Sequence, residues 1–179
     1  DINVFGQVVG FADIPDDLTG GALTPFPLPL GFMWSAAAGT VKIPPLPGDQ
    51  FAIAYALNDW GAVVGQSFGG PEGSRAFIWV NGKSYDLNMF LPPGATLYLV
   101  YAEAINDLGE ITGGACELVD GACPASGAIT PAFLAVPGFK NADDATATLE
   151  QAGAAADAPA VAVPKELYRR PLRRFGVGR

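Results

Sequence analysis

The chain has 179 residues, half of them hydrophobic, with 23 Gly and 16 Pro. No apolar run reaches the roughly 18 residues of a membrane-spanning helix, and short apolar pieces broken by turn-formers point to many short strands. The net charge is −8 and there is no histidine, which removes His-dependent nucleophilic schemes and sets the body of the chain against nucleic acid.

The charge is unevenly placed. Residues 1–163 hold four basic side chains, Lys42, Arg75, Lys83 and Lys140, against 17 acidic ones, whereas 164–179 hold six basic residues against Glu166. The start has no basic segment, apolar stretch and cleavage site in series, so it reads as lacking a signal peptide. Asp1 falls inside a repeated phrase whose upstream strand is missing, as in a mature or trimmed product.

That phrase opens the first predicted unit, at about residues 1–50. In "DINVFGQVVG", Asn3 and Gly6 hold the first and fourth positions of a turn, with apolar residues on either side. Asn at the first and Gly at the fourth position fit a type I turn, so the phrase reads as a hairpin. A long loop, "FADIPDDLTGGALTPFPLPL", gathers Asp13, Asp16 and Asp17. "GFMW" at 31–34 follows as a strand, with a turn ending at Gly39.

The second unit, about 51–96, repeats the plan. "FAIAYAL" leads into Asn58-Asp59-Trp60-Gly61, then "AVVG", a short loop, and "RAFIW" at 75–79. Asn81-Gly82 is the strongest short hairpin signal in the chain, and "KSYDL" is the return strand. The third unit, about 97–140, carries "LYLVYAEAI", then Asn106-Asp107-Leu108-Gly109, "EITG", a loop with both cysteines, and "PAFLAV" at 131–136. Pro137-Gly138 fits a type II turn.

Position by position, Val8, Val63 and Ile111 are equivalent and should face one side. Gln7, Ala62 and Glu110 should face the other. Gly10, Gly65 and Gly113 close the second strand where a side chain would block a neighbour. Phe32, Phe77 and Phe133 line up, as do Trp34 and Trp79, with Ala135 in the third copy. Each unit is therefore four short antiparallel strands in two hairpins, the first unit lacking its first strand. A four-stranded unit recurring roughly every 50 residues is blade-like, and its apolar faces need stacked neighbours.

After residue 140 the pattern stops. Residues 141–163 read as an Ala-rich acidic linker or a short helix from about Asp144 to Ala156. Residues 164–179 form a basic tail, with Arg169, Arg170, Arg173 and Arg174 set among Tyr168, Leu172 and Phe175.

The pattern A-x-x-I-N-D-x-G-x-x-x-G, then A-F-x-W, then D-L, resembles the HAF-type extracellular repeat family of bacterial secreted proteins, over roughly residues 1–140. Asn58, Asp59, Gly61, Gly65, Ala76, Phe77, Trp79, Gly82 and Leu87 carry the best match. The family is named for His-Ala-Phe, and Arg75 stands where the His would be. Val4 replaces the turn Asp in the first copy. The resemblance implies a secreted or periplasmic, β-propeller-like protein and little about activity. Closed propellers use about four to eight blades, so three units imply a fragment, copies that associate, or a different protein covering the open edges, and a partner is expected because an unpaired hydrophobic edge invites aggregation.

No catalytic constellation emerges, and no G-x-S-x-G elbow, P-loop or dinucleotide fingerprint is present. Asp59 and Asp107 read as turn residues alongside Asn58, Gly61, Asn106 and Gly109. The Trp and Phe residues that repeat with the strand pattern, Phe32, Phe77, Phe133, Trp34 and Trp79, read as core. Asp13, Asp16 and Asp17 are the best calcium ligands on offer, against the plainer reading of an acidic surface loop, because hard cations want several oxygens. No other cofactor is implied. Cys116 and Cys123 either form a disulfide pinning a hairpin at Asp120-Gly121, the expected form, or stay free. A disulfide favours an oxidising compartment.

These features predict an all-β, non-catalytic protein, extracellular or periplasmic. It docks as a structural or accessory subunit in a larger assembly, or with itself, through open edges and the tail arginines, which suit a protein or membrane-associated partner. The alternative is a calcium- or glycan-binding module, and an enzyme of unknown type comes third. No nucleic-acid partner is expected.

Overall fold

A computed structural model of the chain describes residues 1–14, 28–124, 131–137 and 160–163. The protein is all-β. The first sheet joins β1 (Val8–Ile14), β2 (Leu28–Ser35) and β3 (Gly39–Ile43) in sequence order. The second joins β4 (Phe51–Leu57), β5 (Val63–Gly70), β6 (Gly73–Val80) and β7 (Lys83–Asp86), followed by a 3-10 turn at Leu87–Phe90. The third joins β8 (Leu97–Ile105), β9 (Ile111–Glu117), β10 (Ala132–Pro137) and β11 (Ala160–Val163). Among the described residues the three sheets do not close into a ring or barrel.

Strand registers reproduce the sequence equivalences. Val8 pairs with Trp34, Val63 with Trp79, and Ile111 with Ala135. Gly10 pairs with Phe32, Gly65 with Phe77, and Gly113 with Phe133. At Gly65 and Gly113 an added Cβ would collide with the carbonyls of Ile53 and Tyr101 and press on the paired Phe ring. Glycine there lets the Phe of the next strand lie across the backbone.

The sheets stack face to face, and alternation along the strands decides which residues meet which neighbour. Val63, Phe77 and Trp79 pack with Ala52, Ala54 and Leu57 against Val9, Ile43 and Leu46 near the first sheet. One residue over, Val64, Ala76 and Ile78 pack with Ala56 and Ala62 against Leu99, Ala102, Ile111 and Phe133 of the third. The second sheet is thus buried on both faces, which is why "FIWV" and "AVV" are apolar without a break. The three alanines of β4 leave room for the neighbours' larger side chains. Complete burial of Phe77 and Phe133 contributes about 1.5–3 kcal/mol each.

Two hairpins have the turns their sequences specify. Asn81 and Gly82 take φ of 53° and 84°, and Asp120 and Gly121 take 53° and 80°. These paired positive angles belong to the primed turn that suits strand twist. The Asp120-Gly121 hairpin is closed by the Cys116–Cys123 disulfide, with Cα atoms 5.7 Å apart.

Two sequence expectations need correction, and a third is not reached. The fourth strand of the third sheet is not a hairpin return after Pro137. It is β11, from the segment read as linker or helix, and it pairs parallel with β10, Leu134 opposite Ala160. The repeated aromatics are not uniformly core: Phe77, Phe133 and Trp79 are buried, but Phe32 is half-buried and Trp34 and Trp60 are exposed. The expected helix at 144–156 and the basic tail lie outside the described residues.

Candidate functional site: stacked turns and open sheet faces

The three repeated turns share one construction. Gly6, Gly61 and Gly109 donate their N–H to the carbonyls of Asn3, Asn58 and Asn106 at 3.0, 3.0 and 2.9 Å. Each Gly has positive φ, between 70° and 80°. Each Asn Oδ1 accepts two N–H bonds from within its own turn: Phe5 and Gln7, Trp60 and Ala62, Leu108 and Glu110. The side-chain oxygen takes the acceptor role of an Asx turn, while the amide group donates elsewhere; in the first turn it also reaches Gln7 Oε1 at 2.7 Å.

That amide joins one turn to the next. Asn3 Nδ2 donates to the Asn58 carbonyl at 3.1 Å, and Asn58 Nδ2 donates to the Asn106 carbonyl at 3.1 Å. The aspartates complete the rung in the other sense. Asp59 Oδ1 accepts the Val4 N–H at 3.2 Å, and Asp107 Oδ1 accepts the Asp59 N–H at 2.8 Å. Trp60 lies across the third turn and donates Nε1 to the Asp107 carbonyl at 2.8 Å. Neither aspartate bonds its own turn's backbone through these contacts; each serves the preceding turn. The turns form a directional ladder.

The ladder has two ends. In the first turn Val4 occupies the aspartate position and is exposed. In the third turn Asn106 Nδ2 turns back to Glu110, and Leu108, at the position of Trp60, is exposed.

The sheet faces at these ends match the buried faces in the middle. On the near face of the first sheet, the row Val8–Trp34 corresponds to Val63–Trp79. Trp79 is 5% exposed and Trp34 is 42% exposed. On the far face of the third sheet, Ala104 pairs with Thr112, and Thr112 with Leu134. The same row in the second sheet is Ala56, Val64 and Ile78, buried against the third sheet. Ala104 and Thr112 are exposed and Leu134 is half-buried.

A buried ionic cluster braces the second sheet. Arg75 binds Asp49 at 3.0 Å and Asp86 at 3.1 Å, and donates to the Pro47 carbonyl at 2.9 Å. Ser67 donates to Asp49 at 2.6 Å. Burial opposes the guanidinium charge, but hydrogen bonding and attraction from Asp49 and Asp86 outweigh it and hold the Arg75 pKa above its usual value. Asp49 Oδ1 is buried with no hydrogen-bond partner among the described residues. Sequence reasoning noted Arg75 only as the substituted His and missed its partners. The available signal was a charge inside the run "RAFIWV", which needs a counter-charge when buried.

The remaining candidates are not brought together. Asp16, Asp17, Arg169, Arg170, Arg173 and Arg174 lie outside the described residues, and Asp13 is placed only as backbone in β1. Among the described residues, no cluster of three His, Cys, Asp or Glu side chains could hold a metal. In the same residues no helix is long and apolar enough to cross a membrane. No family model, curated protein or solved structure matches the chain.

Proposed function

We propose that the protein is a non-catalytic, extracytoplasmic β-repeat protein of partial-propeller type that docks as a structural or accessory subunit in a larger assembly. One observation carries this reading: Trp34 stands exposed at the position where its counterpart Trp79 is buried by a neighbouring sheet. A face built like the buried faces beside it suits a partner rather than water. The resemblance to HAF-type extracellular repeats supports the secreted setting, as does the Cys116–Cys123 disulfide. The arginines of residues 164–179 add charge attraction toward an acidic or membrane-associated partner.

The test is the particle mass of the protein isolated from its own cells, beside a Trp34→Glu variant. The expected result is a particle heavier than one chain for the wild type and a weakened or lost complex for the variant, with unchanged circular dichroism. A wild-type chain that runs alone as isolated from its own cells, with no co-purifying partner, overturns the reading.

A further inference from the structure

We infer that the partner of the open faces is a second copy of this chain, set head to tail, with its first sheet covering the third sheet of its neighbour. The inference rests on the docking reading above and names the occupant.

The open faces continue the interfaces already inside the chain. Each internal interface puts the far-face row of one sheet against the near-face row of the next: Val9–Met33–Val41 against Leu57–Val63–Trp79, and Ala56–Val64–Ile78 against Ile105–Ile111–Ala135. The uncovered rows are a far-face row, Ala104–Thr112–Leu134, and a near-face row, Val8–Trp34. One copy offers the half that the other lacks. The ladder has the same polarity. Asn106 Nδ2 donates to Glu110 but, unlike Asn3 and Asn58 Nδ2, reaches no turn carbonyl among the described residues, and the Asn3 carbonyl accepts only Gly6 there, whereas the Asn58 and Asn106 carbonyls each accept a second bond from the preceding Asn.

Faces of two different kinds make a heterologous contact, which forms a ring when the rotation closes. Two copies bring six sheets, within the four to eight sheets of closed blade rings. One bond of the rung is missing between copies, because Val4 has no carboxylate for the Asp107 N–H. The copies also share a net charge of −8, so the contact is apolar in character and strengthens as salt screens their repulsion.

Sedimentation equilibrium of the full 179-residue chain tests this. Wild type should dimerise reversibly, more tightly at high salt. Trp34→Glu breaks the near face and Leu134→Glu the far face, so each alone should sediment as one chain. Their equimolar mixture should form a one-to-one dimer, since one intact face of each kind remains. Thr112→Arg, at an exposed position, replaces Leu134→Glu if that variant fails to fold. Val4→Asp restores the missing bond and should tighten dimerisation about fivefold per interface.

A mixture that stays monomeric while wild type dimerises overturns the head-to-tail arrangement, as does a Trp34→Glu variant that dimerises like wild type. A wild type that is monomeric throughout overturns self-association. In that monomer, a fluorine resonance from 5-fluorotryptophan at position 34 separates the two readings. A solvent-exposed signal leaves docking to a different protein standing, and a buried one removes the docking reading as well.

Discussion

Asn58 donates from Nδ2 to the carbonyl oxygen of Asn106 at 3.1 Å, across 48 residues of sequence. The same side chain accepts from Trp60 and Ala62 through Oδ1, so one residue closes its own turn and ties it to the next. Asn58 is 3% exposed, whereas Asn106, with the same turn bonds, is exposed. Burial therefore separates two chemically equal positions.

That difference sets the first prediction. Asn58→Ala strands the buried Ala62 N–H and removes the part-buried bonds to the Trp60 N–H and the Asn106 carbonyl, and should cost about 3 kcal/mol. Asn106→Ala leaves its donors where water can replace the side chain and should cost about 1 kcal/mol. Asn58→Asp keeps the acceptor, loses the donor and sets a carboxylate against the Asn106 carbonyl, so its cost should resemble that of Asn58→Ala. Urea unfolding midpoints give the ranking, and equal losses at Asn58 and Asn106 would show that the ladder contributes nothing beyond the local turn.

The second prediction concerns the charge cluster. Arg75 holds two carboxylates, and the Asp49 side chain is fully buried. Removing one member of such a pair leaves an uncompensated charge and costs about 3–5 kcal/mol. Arg75→Met and Asp49→Ala should each fall in that range. The double variant should cost clearly less than the two together, because the second change removes the charge stranded by the first. Additive losses in a double-mutant cycle would mean that the two side chains act separately.

The paired rows were legible in the sequence because each is written by local alternation around a turn. Val63 beside Val64 predicts opposite faces, and the structure sends them to different cores. The rungs were not legible in the same way. Asn and Asp at fixed turn positions have a sufficient local explanation, and nothing within ten residues shows that Asp107 serves the Asp59 N–H. β11 was hidden for another reason. "AVAV" is a four-residue apolar run in an Ala-rich segment, and its parallel pairing to β10 is a tertiary choice that local propensity does not encode. The exposure of Trp34 was also invisible, since its strand matches that of Trp79 and only the absent neighbour differs.

The third prediction tests the disulfide. Cys116 and Cys123 are separated by seven residues, and closing so short a loop in the unfolded chain stabilises by about 2 kcal/mol. The hairpin bonds between Val119 and Ala122 and the β8–β9 registry do not depend on the sulfurs. A Cys116→Ala, Cys123→Ser variant should therefore lose about 2 kcal/mol in urea unfolding while keeping its circular dichroism spectrum. Loss of the β signal would show that the bridge organises the sheet rather than restricting the unfolded chain.

The last prediction is an alkaline loss of stability centred on Tyr98. Its phenol donates to the Glu72 carbonyl at 3.3 Å. Burial pushes its pKa from 10.0 to about 12, with repulsion from Asp86 adding to the rise and Arg75 opposing it. Below pH 10 the phenol is neutral in both folded and unfolded chains, so the stabilisation is fully present. Between pH 10 and 12 the unfolded chain loses the proton first. The folded state then binds more protons, and stability falls as pH rises. Tyr98 is only half-buried, so solvent screening keeps the loss on the order of 1 kcal/mol. Tyr55, whose pKa is raised by burial and then by Tyr101 and Glu103, pulls in the same direction. Tyr98→Phe should flatten the stability curve between pH 9.5 and 11.5 by about 1 kcal/mol, at the cost of the Glu72 bond at neutral pH. A Tyr98→Phe curve parallel to wild type would place the alkaline sensitivity elsewhere in the chain.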